Sequence, residues 1–188
     1  MANIYEKCLI FENDDYLLRL VEEKDTSDLL EVYSDKNALP FFNSDNCNGD
    51  NFYYPTEERM YEAVKFWLSA YENRWFVRLA IIDKSVSKAI GTVELCYRVS
   101  DDEFNGDGIF RLDVKSDYEE ESALFNIISL IIPPTFELLN CSEIITKVPI
   151  YAVERLNAVQ KFGFTKSAHL MVGTHDRYAY NGYWTIQK

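Results

Sequence analysis

Apolar and polar positions change period several times along the chain, and each change marks an element. Tyr16-Leu17-Leu18-Arg19-Leu20 is a short strand-like run, and Leu29, Leu30, Val32 and Tyr33 form a helical stripe behind the polar starters Asp25, Thr26 and Ser27. Residues 43–54 are rich in Asn and Asp, side chains that compete with regular backbone pairing, so a mobile surface loop is expected there. Pro55-Thr56-Glu57-Glu58 opens a second helix in which Met60, Val64, Trp67, Leu68 and Tyr71 recur at spacings of three and four, one apolar face for core packing. From Trp75 the period becomes that of strands: 75–82 and 89–97 are joined by a hairpin connection over 83–88, and 108–114 follows the acidic turn Asp101-Asp102-Glu103. Then come an apolar helix within 123–139, a strand over 143–148, a helix over 151–161, and two closing strands over 165–172 and 177–186. Pro133 and Pro134 remove backbone donors inside the apolar helix and are expected to kink or end it near Ile131 and Ile132. The order predicts one α+β domain over residues 1–188, with a mostly antiparallel, twisted central sheet flanked by helices.

Composition narrows the partners. A formal net charge of −12 argues against nucleic acid, whose binding needs clustered Lys and Arg to displace counterions. The same charge leaves two readings open: solubility alone, or attraction of amines and basic peptides into an acidic pocket. Cys8, Cys47, Cys96 and Cys141 stand far apart with no metal-ligand spacing, so reduced thiols and no metal are expected. The N-terminus lacks a basic head with an apolar run, and the most apolar stretch contains Asn126, Pro133, Pro134 and Glu137. Neither a secretory signal nor a membrane span is expected, and the cytoplasm is the expected location.

Leu18-Arg19 followed by Glu22-Glu23-Lys24-Asp25, then Ala89-Ile90-Gly91-Thr92-Val93, then Gln160-Lys161-Phe162-Gly163-Phe164 resembles, in order and over nearly the whole chain, the GNAT acyltransferase superfamily. More narrowly, the chain is similar to the branch that acetylates ribosomal-protein N-termini. The resemblance implies that acetyl-CoA lies between two splayed strands, its pantetheine pairing with the strand over 111–114 at Leu112, Asp113 and Val114. The pyrophosphate would rest on the loop that starts the next helix, where free N–H groups and the positive helix end hold phosphate and glycines allow close approach. That loop carries glycines in the family. Here the corresponding stretch, Ser116-Asp117-Tyr118-Glu119-Glu120-Glu121-Ser122-Ala123, has none. The implied cofactor contacts fall on Glu119, Glu120, Glu121, Ser122 and Ala123, a degenerate cradle.

Read from its own residues, Ser116 followed by Glu119 is a capping box. The acids Asp117, Glu119, Glu120 and Glu121 then stabilise the helix start while repelling an anion there, an internal substitute for the phosphate. The alternative is that these acids face solvent and the backbone still binds phosphate. The family's last helix commonly begins with Asn, with Ser three residues on and a Tyr near its end as general acid. Those positions hold Ala152, Arg155 and Val159, leaving Tyr151 and Asn157 as neighbouring stand-ins. For a general base toward an amine, Glu94 is positioned on its strand, with Asp113 and the His175-Asp176 pair as further candidates. Each has a plainer reading: Glu94 a solvent-facing strand acid, Asp113 a turn capper, His175-Asp176 a hairpin turn, Tyr151 a packed aromatic.

Two functions follow. One is an acyl-CoA-dependent N-acetyltransferase acting on a small amine or a peptide N-terminus, with Glu94 and Tyr151 as catalytic candidates. The other is a GNAT-fold binding or regulatory module without the cofactor. Monomer and homodimer are both compatible with the resemblance.

Overall fold

A computed structural model describes residues 3–6 and 10–188, so Cys8 lies outside the described residues. The chain runs β1 (Phe11–Glu12), β2 (Tyr16–Leu20), α1 (Thr26–Tyr33), α2 (Glu57–Glu72), β3 (Val77–Asp83), β4 (Lys88–Tyr97), β5 (Gly108–Val114), α3 (Glu121–Leu138), β6 (Glu143–Lys147) and α4 (Val153–Phe162). The short strands β7 (Thr165–Lys166), β8 (Met171–Val172) and β9 (Ala179–Tyr180) precede β10 (Tyr183–Gln187). Eight strands make one sheet in the order β1-β2-β3-β4-β5-β6-β10-β7, and β8 and β9 form a separate ribbon. Every pairing in the large sheet is antiparallel except that of β5 with β6, which is confined to Gly108 opposite Ile144 and Ile109 opposite Ile145. Beyond Ile109 these two strands are no longer paired with each other.

The period-2 alternation of the central strands sorts their residues onto two faces. Val77, Leu79 and Ile81 of β3, Val93 and Leu95 of β4, and Phe110, Leu112 and Val114 of β5 join the core under α3 and α4. The opposite face carries the core of α1 and α2, built around Leu29, Val32, Tyr33, Met60, Val64 and Trp67. That stripe is the one the helical spacing predicted, and Thr56 caps α2 by accepting from the Arg59 N–H at 3.3 Å.

Four expectations are corrected. Helix α3 continues through Pro133 and Pro134 to Leu138. Pro133 is exposed and Pro134 half-buried, while Ile131, Ile132, Thr135 and Phe136 around them are buried and hold the helix to the core. The segment over 43–54 is tied down: Phe52 and Tyr54 enter the second core, the Tyr54 N–H donates to the Tyr33 carbonyl at 2.9 Å, and Asp45 takes an ion pair from Lys147. Asn43, Asp50 and Asn51 turn the chain by accepting backbone N–H groups two residues on, so the same side chains that signalled a loop also fix it. Finally, the two closing strands are broken into β7 to β10, and the Ser116–Glu119 capping box does not form. Glu120 is the N-cap of α3 and offers it no side-chain bond, while Glu119 is drawn elsewhere.

Candidate functional site

Two regions carry the polar chemistry, one on each side of β5. The first is the gap where β5 and β6 part. Arg155, in the first turn of α4, fills it. Its Nε and Nη2 donate to the two carboxylate oxygens of Glu119 at 2.7 and 2.6 Å, and its Nη1 donates to the Leu112 carbonyl at 2.6 Å. Both side chains are buried, so this is a bidentate, charge-assisted pair in a dry setting. One residue earlier, Glu154 places Oε2 3.0 Å from the Glu121 N–H, the first of the orphan donors of α3. Lys161 pairs with Glu121 at 3.0 Å.

The second region is a cavity of about 730 Å³ on the α1/α2 side. Its polar floor is a cross-strand ladder: Arg78 on β3 lies opposite Glu94 on β4, which lies opposite Arg111 on β5. Glu94 receives Arg78 Nη2 at 2.5 Å on one oxygen and Arg111 Nη1 on the other. Arg78 Nη1 also meets Asp113, Tyr33 and Thr92, each at 3.0 Å, and its guanidinium stacks 4.5 Å from the Trp67 ring. Burial alone would raise the Glu94 pKa, but Arg111 and Arg78 outweigh it and hold the carboxyl below its usual range. For Asp113 the balance goes the other way: burial raises its pKa despite Arg78 and the Tyr33 hydroxyl. The walls are aromatic, with Phe52, Tyr54, Trp67 and Phe76 inside and Phe66 and Trp75 at an exposed edge. Arg59, stacked 4.3 Å over Tyr54 and paired with Asp50 at 3.0 Å, stands at the side.

The sequence candidates fall into place unevenly. Glu94 lines the cavity, yet it is buried rather than solvent-facing, and Asp113 is a buried strand residue rather than a turn capper. Leu112 and Val114 pack into the core, and the Leu112 carbonyl is taken by Arg155. Glu119 is fixed in its pair, Glu120 and Ser122 are exposed, and Glu121 and Ala123 are half-buried in the first turn of α3. Tyr151 does not line the cavity of Glu94: it is exposed, packs on Phe41 and donates to the Pro40 carbonyl at 2.6 Å. Asn157 is exposed on α4. His175 lines the cavity, while Asp176 accepts from Tyr180 at 2.5 Å in the ribbon turn. The expected acidic pocket is corrected as well, because the cavity is lined by four arginines and only two carboxylates, Asp50 and Glu94. The pairing roles of Arg155, Arg78 and Arg111 escaped sequence reasoning. For the two strand arginines the signal was the alternation Val77-Arg78-Leu79 and Phe110-Arg111-Leu112-Asp113, charges set among core residues at strand period. Among the described residues no group of three or more His, Cys, Asp or Glu could hold a metal ion, and no helix is long and apolar enough to cross a membrane.

Compared by sequence, the chain matches no family model and no curated protein. Compared by structure, it matches GNAT acetyltransferases over nearly its full length. The ribosomal-protein-S5-alanine acetyltransferase from Vibrio fischeri has a TM-score of 0.69 at 16% identity, with 96% of each chain covered. A GNAT-family acetyltransferase from Bacillus anthracis gives 0.70 at 13%, covering 95% of this chain and 98% of that one. The spermidine N-acetyltransferase from Vibrio cholerae, in complex with CoA and spermine, gives 0.65 at 15%, covering 93% and 96%. The chain therefore has the GNAT fold, with its open, mostly antiparallel sheet and four flanking helices, and that last complex is a case of CoA held by this fold.

The places that the resemblance assigns to the cofactor can be tested residue by residue. The Leu112 carbonyl that would meet pantetheine is bonded to Arg155, and the Glu121 N–H at the helix start is bonded to the Glu154 carboxylate. No glycine stands between Lys115 and Asn140 to let phosphate approach the backbone. As folded, these two contacts are already taken by side chains of the chain itself.

Proposed function

We propose that this chain is a GNAT-fold binding domain that works through the cavity on the α1/α2 side and does not turn over acyl-CoA. The observation that carries this reading is the Arg155–Glu119 pair seated on the Leu112 carbonyl. To admit a cofactor along β5, Arg155 would have to leave the Leu112 carbonyl and part from Glu119, and leaving one member of a buried ion pair alone costs about 3–5 kcal/mol. That alone would weaken binding by more than two orders of magnitude at about 1.4 kcal/mol per tenfold. The cavity, in contrast, has the size, the apolar walls and the few convergent polar groups of a small-molecule site.

A second reading keeps acyl-CoA-dependent N-acetyltransfer to a small amine or peptide N-terminus. The full-length likeness to acetyltransferases favours it, including the complex that holds CoA and spermine. It requires the clamp to open, with Glu94 or Tyr151 serving the proton transfers. Glu94, with both oxygens on guanidinium groups, is a weak base for that work.

Calorimetric titration of acetyl-CoA and of CoA into the full chain separates the two. The expected result is no heat of binding at micromolar ligand for the native chain, with measurable binding gained by the Glu119→Gln, Arg155→Ser double variant. Micromolar binding by the native chain would overturn the proposal and restore the acetyltransferase.

A further inference from the structure

The cavity carries a donor and acceptor imbalance that specifies its ligand. Its two carboxylates are spent. Glu94 has each oxygen on an arginine, and Asp50 has Oδ1 on the Phe52 N–H at 2.8 Å and Oδ2 shared by the Tyr54 hydroxyl at 2.9 Å and Arg59 at 3.0 Å. An ammonium entering here would find no free carboxylate. Donors, however, are left over. Arg78 and Arg111 both line the cavity, and in each the Nε is buried without an acceptor. A buried donor without a partner is costly, but both Nε atoms are closed to solvent, so the donors directly open to a ligand are those of Arg59. Arg59 commits only Nη2, keeps the rest of its fork, and is half-exposed at the cavity side. Arg98, the fourth arginine, is already bound to Asp102 and to the Val172 carbonyl and adds nothing. Tyr54 and Trp67 are buried beneath Arg59 and Arg78, and the flat apolar faces left open at the edge are those of Phe66 and Trp75, 6.5 Å apart.

We infer that the cavity takes a small organic acid with a flat apolar or aromatic body, its carboxylate toward the arginines and its ring against Phe66 and Trp75. Planar guanidinium groups match a carboxylate in geometry and charge, and aromatic walls match the ring. This rests on the reading of the cavity as the working site, and it reverses the charge that the acidic composition suggests for the ligand.

The test is calorimetric titration of the full chain with 3-phenylpropionate and with 3-phenylpropylamine, which share a skeleton and differ in charge. The acid is expected to bind saturably and the amine at least tenfold more weakly. Arg59→Gln should weaken the acid by roughly tenfold, the scale of one charge-assisted bond. Trp75→Ala, which alters an exposed ring, should weaken both compounds without changing their order. Equal or tighter binding of the amine, acid binding unmoved by either variant, or no binding of either compound at millimolar concentration would each overturn the inference. Arg59 and Trp75 are exposed enough for both variants to fold, which circular dichroism checks. If acetyl-CoA binds in the companion titration, the proposed function fails, while the order of acid and amine still decides this inference.

Discussion

Arg155 is the residue on which the proposed function turns. A Ser at this position would offer one hydroxyl; a guanidinium offers a planar fork that reaches Glu119 and the Leu112 carbonyl together. Buried pairs of this kind are held by mutual compensation, so removing one partner costs more than removing both. Arg155→Met is expected to destabilise the chain by about 3 kcal/mol, because Glu119 is left buried and charged. The Arg155→Met, Glu119→Leu double variant should recover most of that loss. Urea denaturation of the four proteins in this cycle measures the coupling, and strictly additive effects would show that the pair is not a unit. Glu154 is a looser member, exposed and held by a single backbone donor, so its loss should be small.

Among the elements, the pairing of β4 with β5 positions both regions, since it sets Glu94 against Arg111 and delivers the Leu112 carbonyl to Arg155. Gly91 is where that pairing is tightest. A Cβ there would stand 2.2 Å from the Asp113 carbonyl oxygen and 2.9 Å from the Val114 Cα, both backbone atoms that cannot rotate away. Gly91→Ala is therefore expected to cost more than about 3 kcal/mol, well above an ordinary surface substitution. A thermal melt within a few degrees of the native chain would contradict the register that sets Gly91 opposite Val114. Helix α3 shows the opposite balance, because two prolines predicted to break it do not. Their missing N–H groups orphan the Ser129 and Leu130 carbonyls on the half-buried side, while core packing of Ile131, Ile132, Thr135 and Phe136 on the other side holds the axis. Local propensity lost to tertiary burial, which sums over many side chains.

At the scale of the whole molecule, a chain of net charge −12 balances its buried charges pair by pair, and its stability against pH follows from the few acids that it treats unequally. Asp107 is pushed up to about 6 from the usual 3.8, first by burial and then by Glu143 and Asp102. Its folded form prefers the proton, so it contributes stability that is full below about 3.8 and lost as pH rises through about 6. For Asp102, burial pushes upward, but Arg98, the Val172 N–H and Ser100 prevail and bring it to about 2. Its contribution is present above 3.8 and lost as pH falls toward 2. Asp107→Asn should therefore be more stable than the native chain at pH 7, with the difference shrinking as pH falls from 6 to 4. Denaturation of both proteins across that range checks it, and a difference independent of pH would rule out titration of Asp107 as the source.

The amino-acid sequence by itself determined the main helices and central strands and their order, though not the broken closing strands or the length of α3, because hydrophobic period is a local quantity: Met60, Val64 and Trp67 announce a buried helix face, and Val77 to Ile81 a central strand, without reference to any other part of the chain. It also determined that no glycine cradle precedes α3. What only the tertiary structure decided is which charges meet. Glu119 and Arg155 are 36 residues apart, Arg78 and Asp113 are 35 apart, and Asp45 finds Lys147 across 102. A carboxylate's sequence neighbourhood says nothing of a guanidinium brought to it by another strand or helix, so Glu94 could be read as a solvent-facing acid and the cavity as acidic. Burial and ion pairing act at contact distance in space, and the fold alone sets those distances.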